Sequence, residues 1–313
     1  MPRIRAAFRR GPRGSPDGRF FTIGSCFARN IAEFLKNNGV EAETYALAED
    51  LNSPISNAFI FHLLGQSPEA RLAIVADWVS RIFPEMAPDQ VQAAAGVRCE
   101  GIDQLARQLV GADCVVLTLG NVVDFFREGA DADLPLVEKI FPKFVAMPSS
   151  EDIGQRANAA ARAKKLGATL RLASYQETSE AIEACIAGIR SITAAPLIVT
   201  LSPVPVDSVI GLDAKELKSA VEVDCVSKSR LRSAFDEILL RQVERGDLYY
   251  FPSFEIVRWI APVTPIPNFG LDDAASRHVS SPILDAICGS FLRRFIRWSP
   301  AADVVAPVAE AVS

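Results

Sequence analysis

Phe20-Phe21-Thr22-Ile23-Gly24-Ser25-Cys26-Phe27-Ala28 is the stretch on which the fold turns. Its first four residues form an apolar run that stops at a glycine. From Ala28 to Asn38 the apolar positions Ile31, Phe34 and Leu35 recur at helical spacing, and Asn38-Gly39 supplies a stop. The stretch therefore reads as strand, tight turn, helix. Three later apolar runs end in a similar way. Residues 114–119 stop at Gly120-Asn121, residues 196–201 at Ser202-Pro203, and residues 247–251 at Pro252-Ser253. Helical patterns fill the intervals at about 56–64, 68–81, 102–110, 175–193, 213–243 and 281–296. Unbroken apolar strands alternating with helices predict an α/β fold, a three-layer sandwich with a parallel sheet covered on both faces. Ligands of such sheets sit outside the carboxyl ends of the strands. That rule gathers Ser25, Cys26, Gly120, Asn121 and Ser202 into one crevice.

The 313 residues suit one large α/β domain or two ordinary ones. We read residues 19–298 as a single domain, with an insertion at about 128–170 that is rich in Ala, Pro, Asp and Lys. Residues 1–18 read as a flexible basic arm and 299–313 as a flexible tail of low complexity. A hydrophobic fraction of 49% excludes disorder for most of the chain. The net charge of −5 argues against a dedicated nucleic-acid binder. No apolar run approaches the roughly 20 residues of a membrane helix, so no membrane span is expected. The arginines at 3, 5, 9, 10, 13 and 19 precede no apolar segment, so neither a secretion signal nor a twin-arginine signal is expected. Cysteines 26, 99, 114, 185, 225 and 288 are scattered, without CxxC or zinc spacing. They fit thiols in a reducing cytoplasm, and a cytoplasmic location is the expectation. No metal-ligand spacing, GxGxxG or Walker A sequence occurs, so neither a metal nor a nucleotide cofactor is expected.

Cys26 follows a strand and a glycine turn and opens a helix. Unpaired N–H groups and the dipole at a helix start stabilise an anion, which favours the nucleophilic thiolate. The same amides suit an oxyanion. Ser25 is a rival nucleophile whose ordinary role is to cap the helix. The chain has two histidines. His62 lies in an apolar helical run and reads as a core histidine. His278 lies in a polar loop before the last helix, with Asp272 and Asp273 upstream, and is the stronger general base.

The pentapeptide Gly24-Ser25-Cys26-Phe27-Ala28 resembles the GSCFA-domain family, which is named for it. The likeness continues in order through Leu51-Asn52-Ser53-Pro54-Ile55-Ser56, Leu117-Thr118-Leu119-Gly120, Leu201-Ser202-Pro203-Val204-Pro205 and Ser227-Lys228-Ser229. It ends with Tyr250-Phe251-Pro252-Ser253-Phe254-Glu255-Ile256 and Arg277-His278-Val279-Ser280. The family resembles a branch of the SGNH/GDSL hydrolases, which implies a flavodoxin-like three-layer fold. Laid on the Gly-Asp-Ser block of those enzymes, Gly24-Ser25-Cys26 puts Cys26 at the nucleophile position. Gly24, Gly120, Asn121 and Ser202 are then the substrate and oxyanion residues, although Gly120-Asn121 departs from the usual Gly-x-Asn. The usual Asp-x-x-His also differs, because Ala275 stands three residues before His278. The acid comes from Asp272 or Asp273, or is absent.

The resemblance implies a bacterial esterase or acyltransferase acting on O-acyl groups of a carbohydrate or polysaccharide through an acyl-enzyme. The expected partner is a small-molecule or glycan substrate. An acyl-CoA donor suits a thiol nucleophile, though the chain shows no CoA signature. The alternative is a catalytically degenerate glycan-binding or scaffold protein on the same fold.

Overall fold

A computed structural model of the protein describes residues 17–24, 26–46, 52–130, 133–146, 153–206, 212, 219–242, 246–275 and 277–296. Most of the basic arm, all of the tail, and Ser25 lie outside these residues. The chain begins with β1 (Phe20–Gly24), α1 (Cys26–Asn37) and β2 (Ala42–Ala46). Three helices follow, α2 (Pro54–Leu64), α3 (Pro68–Ile82) and α4 (Pro88–Val110), and lead to β3 (Cys114–Leu119). Next come β4 (Val123–Arg127), the short α5 (Leu136–Lys139) and α6 (Lys143–Ala146), α7 (Ile153–Lys165) and β5 (Ala168–Leu172). The remainder is α8 (Tyr175–Ile192), β6 (Leu197–Leu201), α9 (Ala220–Arg241), β7 (Leu248–Phe251), the single turn α10 (Ser253–Glu255) and α11 (Ser281–Phe295). A π-turn over Ile256–Ile260 and a 3₁₀ turn over Ala261–Val263 follow α10.

Five strands pair in the order β2-β1-β3-β6-β7, every pair parallel. All residues of the three central strands are buried, which is why they read as unbroken apolar runs. Two separate apolar clusters cover the faces. One holds Phe20, Phe27, Ile31, Leu35, Ile287 and Phe291, and so carries α1 and α11. The other holds Phe21, Ile55, Phe61, Val79, Leu105, Ile182 and Phe235, and carries α2, α3, α4, α8 and α9. The architecture is therefore the expected three-layer, flavodoxin-like sandwich. From β1 the chain passes to β2 on one side, then returns to β3 on the other. Connections that leave in opposite directions open a crevice at the carboxyl ends of β1 and β3.

Local signals account for several helix starts. Ser53 and Ser67 accept the N–H of Ser56 and Ala70, and a proline follows each. Ser174 and Glu177 form a reciprocal capping box on α8. Three strands escaped the periodicity. β2 is a short edge strand of mixed polarity, and β4 and β5 form a separate antiparallel pair. β5 lies at the end of the 128–170 segment. Helix α4 starts well before residue 102, because its early buried positions, Val91 and Ala95, are sparse and small. Buried Asp124 on β4 ties the antiparallel pair to the rest: it accepts the hydroxyls of Ser53 and Ser56, the latter at 2.7 Å, and pairs with Lys143 at 3.2 Å.

Gly24 closes β1 at φ +148°, and a Cβ there would stand 2.8 Å from Thr118 Cβ. Gly39, at φ +74°, has nothing within 4 Å of that position. Gly24→Ala is expected to cost about 2–4 kcal/mol through strain plus overlap. Gly39→Ala is expected to cost about 1–2 kcal/mol through backbone strain alone. Denaturant titration of the two variants checks this, and equal losses would refute the role of the Thr118 contact.

Candidate active site

Helix α1 presents Cys26 as its first residue, half-buried and packed against the α1/α11 cluster. His278 reaches the same place from the other end of the chain. Helix α11 is held on the sheet by Phe291, whose ring meets Phe251 of β7 edge-on at 5.2 Å and Phe20 of β1 at 6.4 Å. His278 and Val279, just before α11, lie at the same cavity as Cys26, so α11 begins beside the start of α1 at the carboxyl edge of the sheet. The segment before α11 is a small ribbon. Phe269 bridges Val279 antiparallel, the Gly270 N–H donates to His278 O at 2.9 Å, and the Ser280 N–H donates to Asn268 O at 2.9 Å. Ala274, at φ +57°, turns the ribbon.

The two aspartates at that turn have different partners. Asp272 accepts the N–H of Ser281 at 2.8 Å and so caps α11. Asp273 accepts the Ala275 N–H at 2.9 Å through Oδ1 and bonds His278 Nδ1 through Oδ2. The bond to His278, helped by the Ala275 amide, holds the Asp273 carboxyl below its usual range. A carboxylate so lowered stays charged as pH falls past the ordinary Asp range, and the pair is lost only when its own lowered pKa is crossed. With Nδ1–H donated to Asp273, Nε2 of a neutral imidazole is the basic nitrogen.

Cys26 and His278 line one cavity of about 370 Å³. Its α1 wall also carries Arg29, Asn30 and Glu33, and Val204 enters from beyond β6. The other expected members of the crevice are placed differently. Gly120 and Asn121 both donate their N–H groups to Asn52 O, at 3.1 and 3.3 Å, and neither lines the cavity. Ser202 is fully buried: its N–H donates to Leu119 O at 2.8 Å and its hydroxyl accepts the Val204 N–H at 3.3 Å. The strand ends are thus closed by hydrogen bonds within the protein, which corrects the single crevice drawn from the strand rule. His62 is corrected as well: it is exposed in the last turn of α2 rather than buried.

Two features went unassigned in the sequence. Lys228 of α9 is buried and donates to the carbonyls of Gly120 and Ser202, the latter at 2.8 Å, tying the ends of β3 and β6 together. The available signal was a lysine at helical spacing with Leu231 and Phe235, on the buried stripe that also carries Asp224 and Ser227. Arg29, Asn30 and Glu33 were legible as positions i+3, i+4 and i+7 from Cys26. Among the described residues, no group of three or more His, Cys, Asp and Glu side chains converges as a metal site, and no helix is long and apolar enough to cross a membrane.

The fold and these sequence blocks define an α/β protein of the GSCFA type. The GSCFA family matches residues 19–291, and the chain belongs to it. No curated protein matches it in sequence. Among solved structures, a salicylyl-acyltransferase, SsfX3, from a tetracycline biosynthetic pathway is similar at a TM-score of 0.41 and 11% identity. That likeness covers 89% of this chain and 54% of that one, so the present chain spans about half of its length. A likeness this distant carries no functional weight.

Replacing Lys228 with methionine removes the donor from two buried carbonyls. Lys228→Met is expected to lower stability by about 2–4 kcal/mol, read from denaturant midpoints. A loss well under 1 kcal/mol would mean that water takes the ammonium's place.

Proposed function

We propose that this GSCFA protein is an acyl-handling enzyme, an esterase or acyltransferase that works through a covalent acyl-enzyme. The observation that carries the proposal is the shared cavity: Cys26 and His278, from opposite ends of the sequence, line it together, and His278 is held at Nδ1 by Asp273. The likeness of the family's sequence blocks to SGNH hydrolases supports the same assignment. O-acyl groups on a carbohydrate are the proposed substrate.

In this scheme His278 Nε2 takes the proton of Cys26 Sγ, and the sulfur adds to the ester carbonyl. The oxyanion is held by the N–H groups at the start of α1, which have no acceptor within the helix. Collapse breaks the C–O bond, and the imidazolium returns its proton to the leaving alkoxide. Water or an acceptor hydroxyl then attacks the thioester, giving its proton to His278, and the thiol is regenerated. Asp273 keeps the imidazole in the required tautomer and stabilises the imidazolium. Ser25 is the rival nucleophile, and the same steps apply through its hydroxyl. A binding protein on the same fold is the second reading. It is favoured by one observation, the capture of the Gly120 and Asn121 amides by Asn52.

Turnover of p-nitrophenyl acetate separates these readings. Cys26→Ala and His278→Ala are expected to fall by about 10²–10⁴, and Asp273→Asn by a similar order. Asp272→Asn, which touches only the α11 cap, is expected to hydrolyse at close to the wild-type rate. Equal hydrolysis by wild type, Cys26→Ala, Ser25→Ala and His278→Ala would end the enzyme reading. Loss in Ser25→Ala alone would move the nucleophile to Ser25.

A further inference from the structure

The scheme proposed for Cys26 and His278 leaves the rest of the α1 wall without a task. Cys26, Arg29, Asn30 and Glu33 follow one another at helical spacing, so they form one stripe, and all four line the cavity. The complementary stripe of Phe27, Ala28, Ile31, Ala32 and Leu35 is buried. An Arg and a Glu four residues apart on a solvated helix commonly pair with each other. Here, among the described residues, neither Arg29 nor Glu33 has an ion-pair partner. The guanidinium therefore stands at the cavity with its five donors available for a ligand. With a rise of 1.5 Å per residue, Arg29 and Asn30 lie about 5 Å along the axis from Cys26, and Glu33 about 10 Å. An anion is thus favoured in the first turn and repelled in the second, where a carboxylate accepts hydroxyl donors instead.

We propose that this stripe docks the substrate, and that the substrate is an acidic carbohydrate. Arg29 takes an oxyanion, a carboxylate or a phosphate, close to the reacting group, while Asn30 and Glu33 hydrogen-bond sugar hydroxyls beyond it. That the docked carbohydrate is an acyl ester rests on the proposed function; the anion subsite rests on the cavity and its side chains.

Alkylation of Cys26 tests the subsite without requiring turnover. Iodoacetate and iodoacetamide have nearly the same shape and differ in charge. In each case the sulfur bonds to the methylene carbon, iodide leaves, and the thiol proton goes to buffer. Rates at Cys26 are read by peptide mass spectrometry, with exposed Cys225 of the same molecule as the reference. A nearby unit charge is expected to raise the iodoacetate-to-iodoacetamide ratio at Cys26 roughly threefold or more above that at Cys225. Arg29→Met should remove that excess, and Glu33→Gln should not reduce it.

Glucuronate and glucose 6-phosphate, with glucose as the neutral control, then distinguish the carboxylate source from the phosphate source. At least one anion should slow iodoacetamide alkylation of Cys26 in the wild type where glucose does not, and fail to do so in Arg29→Met. A ratio equal to that of Cys225, a ratio unaffected by Arg29→Met, an unreactive Cys26, or protection by neither anion overturns the proposal. A chain that shows the charge bias and the protection but hydrolyses no ester keeps the anion subsite and loses the acyl-enzyme reading.

Discussion

The site depends on how α11 is seated. Its inner face buries Ile287, Phe291 and Phe295 against Phe20 and Phe251, so the helix bridges the first strand and the edge strand β7. Aromatic edge-to-face contacts of this kind fix both rotation and height, because ring quadrupoles favour particular geometries beyond the burial of area. With α11 seated across the sheet in this way, His278 and Val279, just before its first turn, lie at the carboxyl edge. That is where β1 releases the chain into α1 and Cys26. Two helices starting side by side therefore bring a thiol and an imidazole to one cavity, although no short-range signal connects them.

The strand ends show a second constraint. Backbone groups buried at a sheet edge need partners. In this protein the partners are internal: the Asn52 carbonyl takes the amides of Gly120 and Asn121, and the Lys228 ammonium takes the carbonyls of Gly120 and Ser202. The carboxyl edge is thus divided. Its β3–β6 part is closed by structural hydrogen bonds, while its β1 part opens into the cavity beside α1. Residues at the ends of parallel strands share an edge by topology, but sharing an edge does not make them face one ligand.

The ribbon before α11 separates two neighbouring carboxylates by backbone geometry. The left-handed turn at Ala274 sets Asp272 toward the α11 start and Asp273 toward the imidazole. Residues one apart can therefore differ wholly in role. Asp272 satisfies a helix end, and Asp273 is ionised next to a histidine.

Much of this was written in the primary sequence. The apolar runs at 20–23, 114–119, 196–201 and 247–251 announced the buried strands, since a strand covered on both faces has no polar alternation to confuse it. The glycine turn after β1 and the scarcity of histidine pointed to Cys26 and His278. Short or mixed-polarity strands such as β2, β4 and β5 were silent, because their identity comes from their partners rather than from their own period. What only the tertiary structure decided was which polar groups meet. The choice of Asp273 over Asp272, the withdrawal of Gly120, Asn121 and Ser202 from the cavity, and the convergence of Arg29, Asn30 and Glu33 with His278 all arise from contacts between distant segments. Local sequence fixes a residue's secondary structure and its face, but the partner across that face is set by how the layers stack.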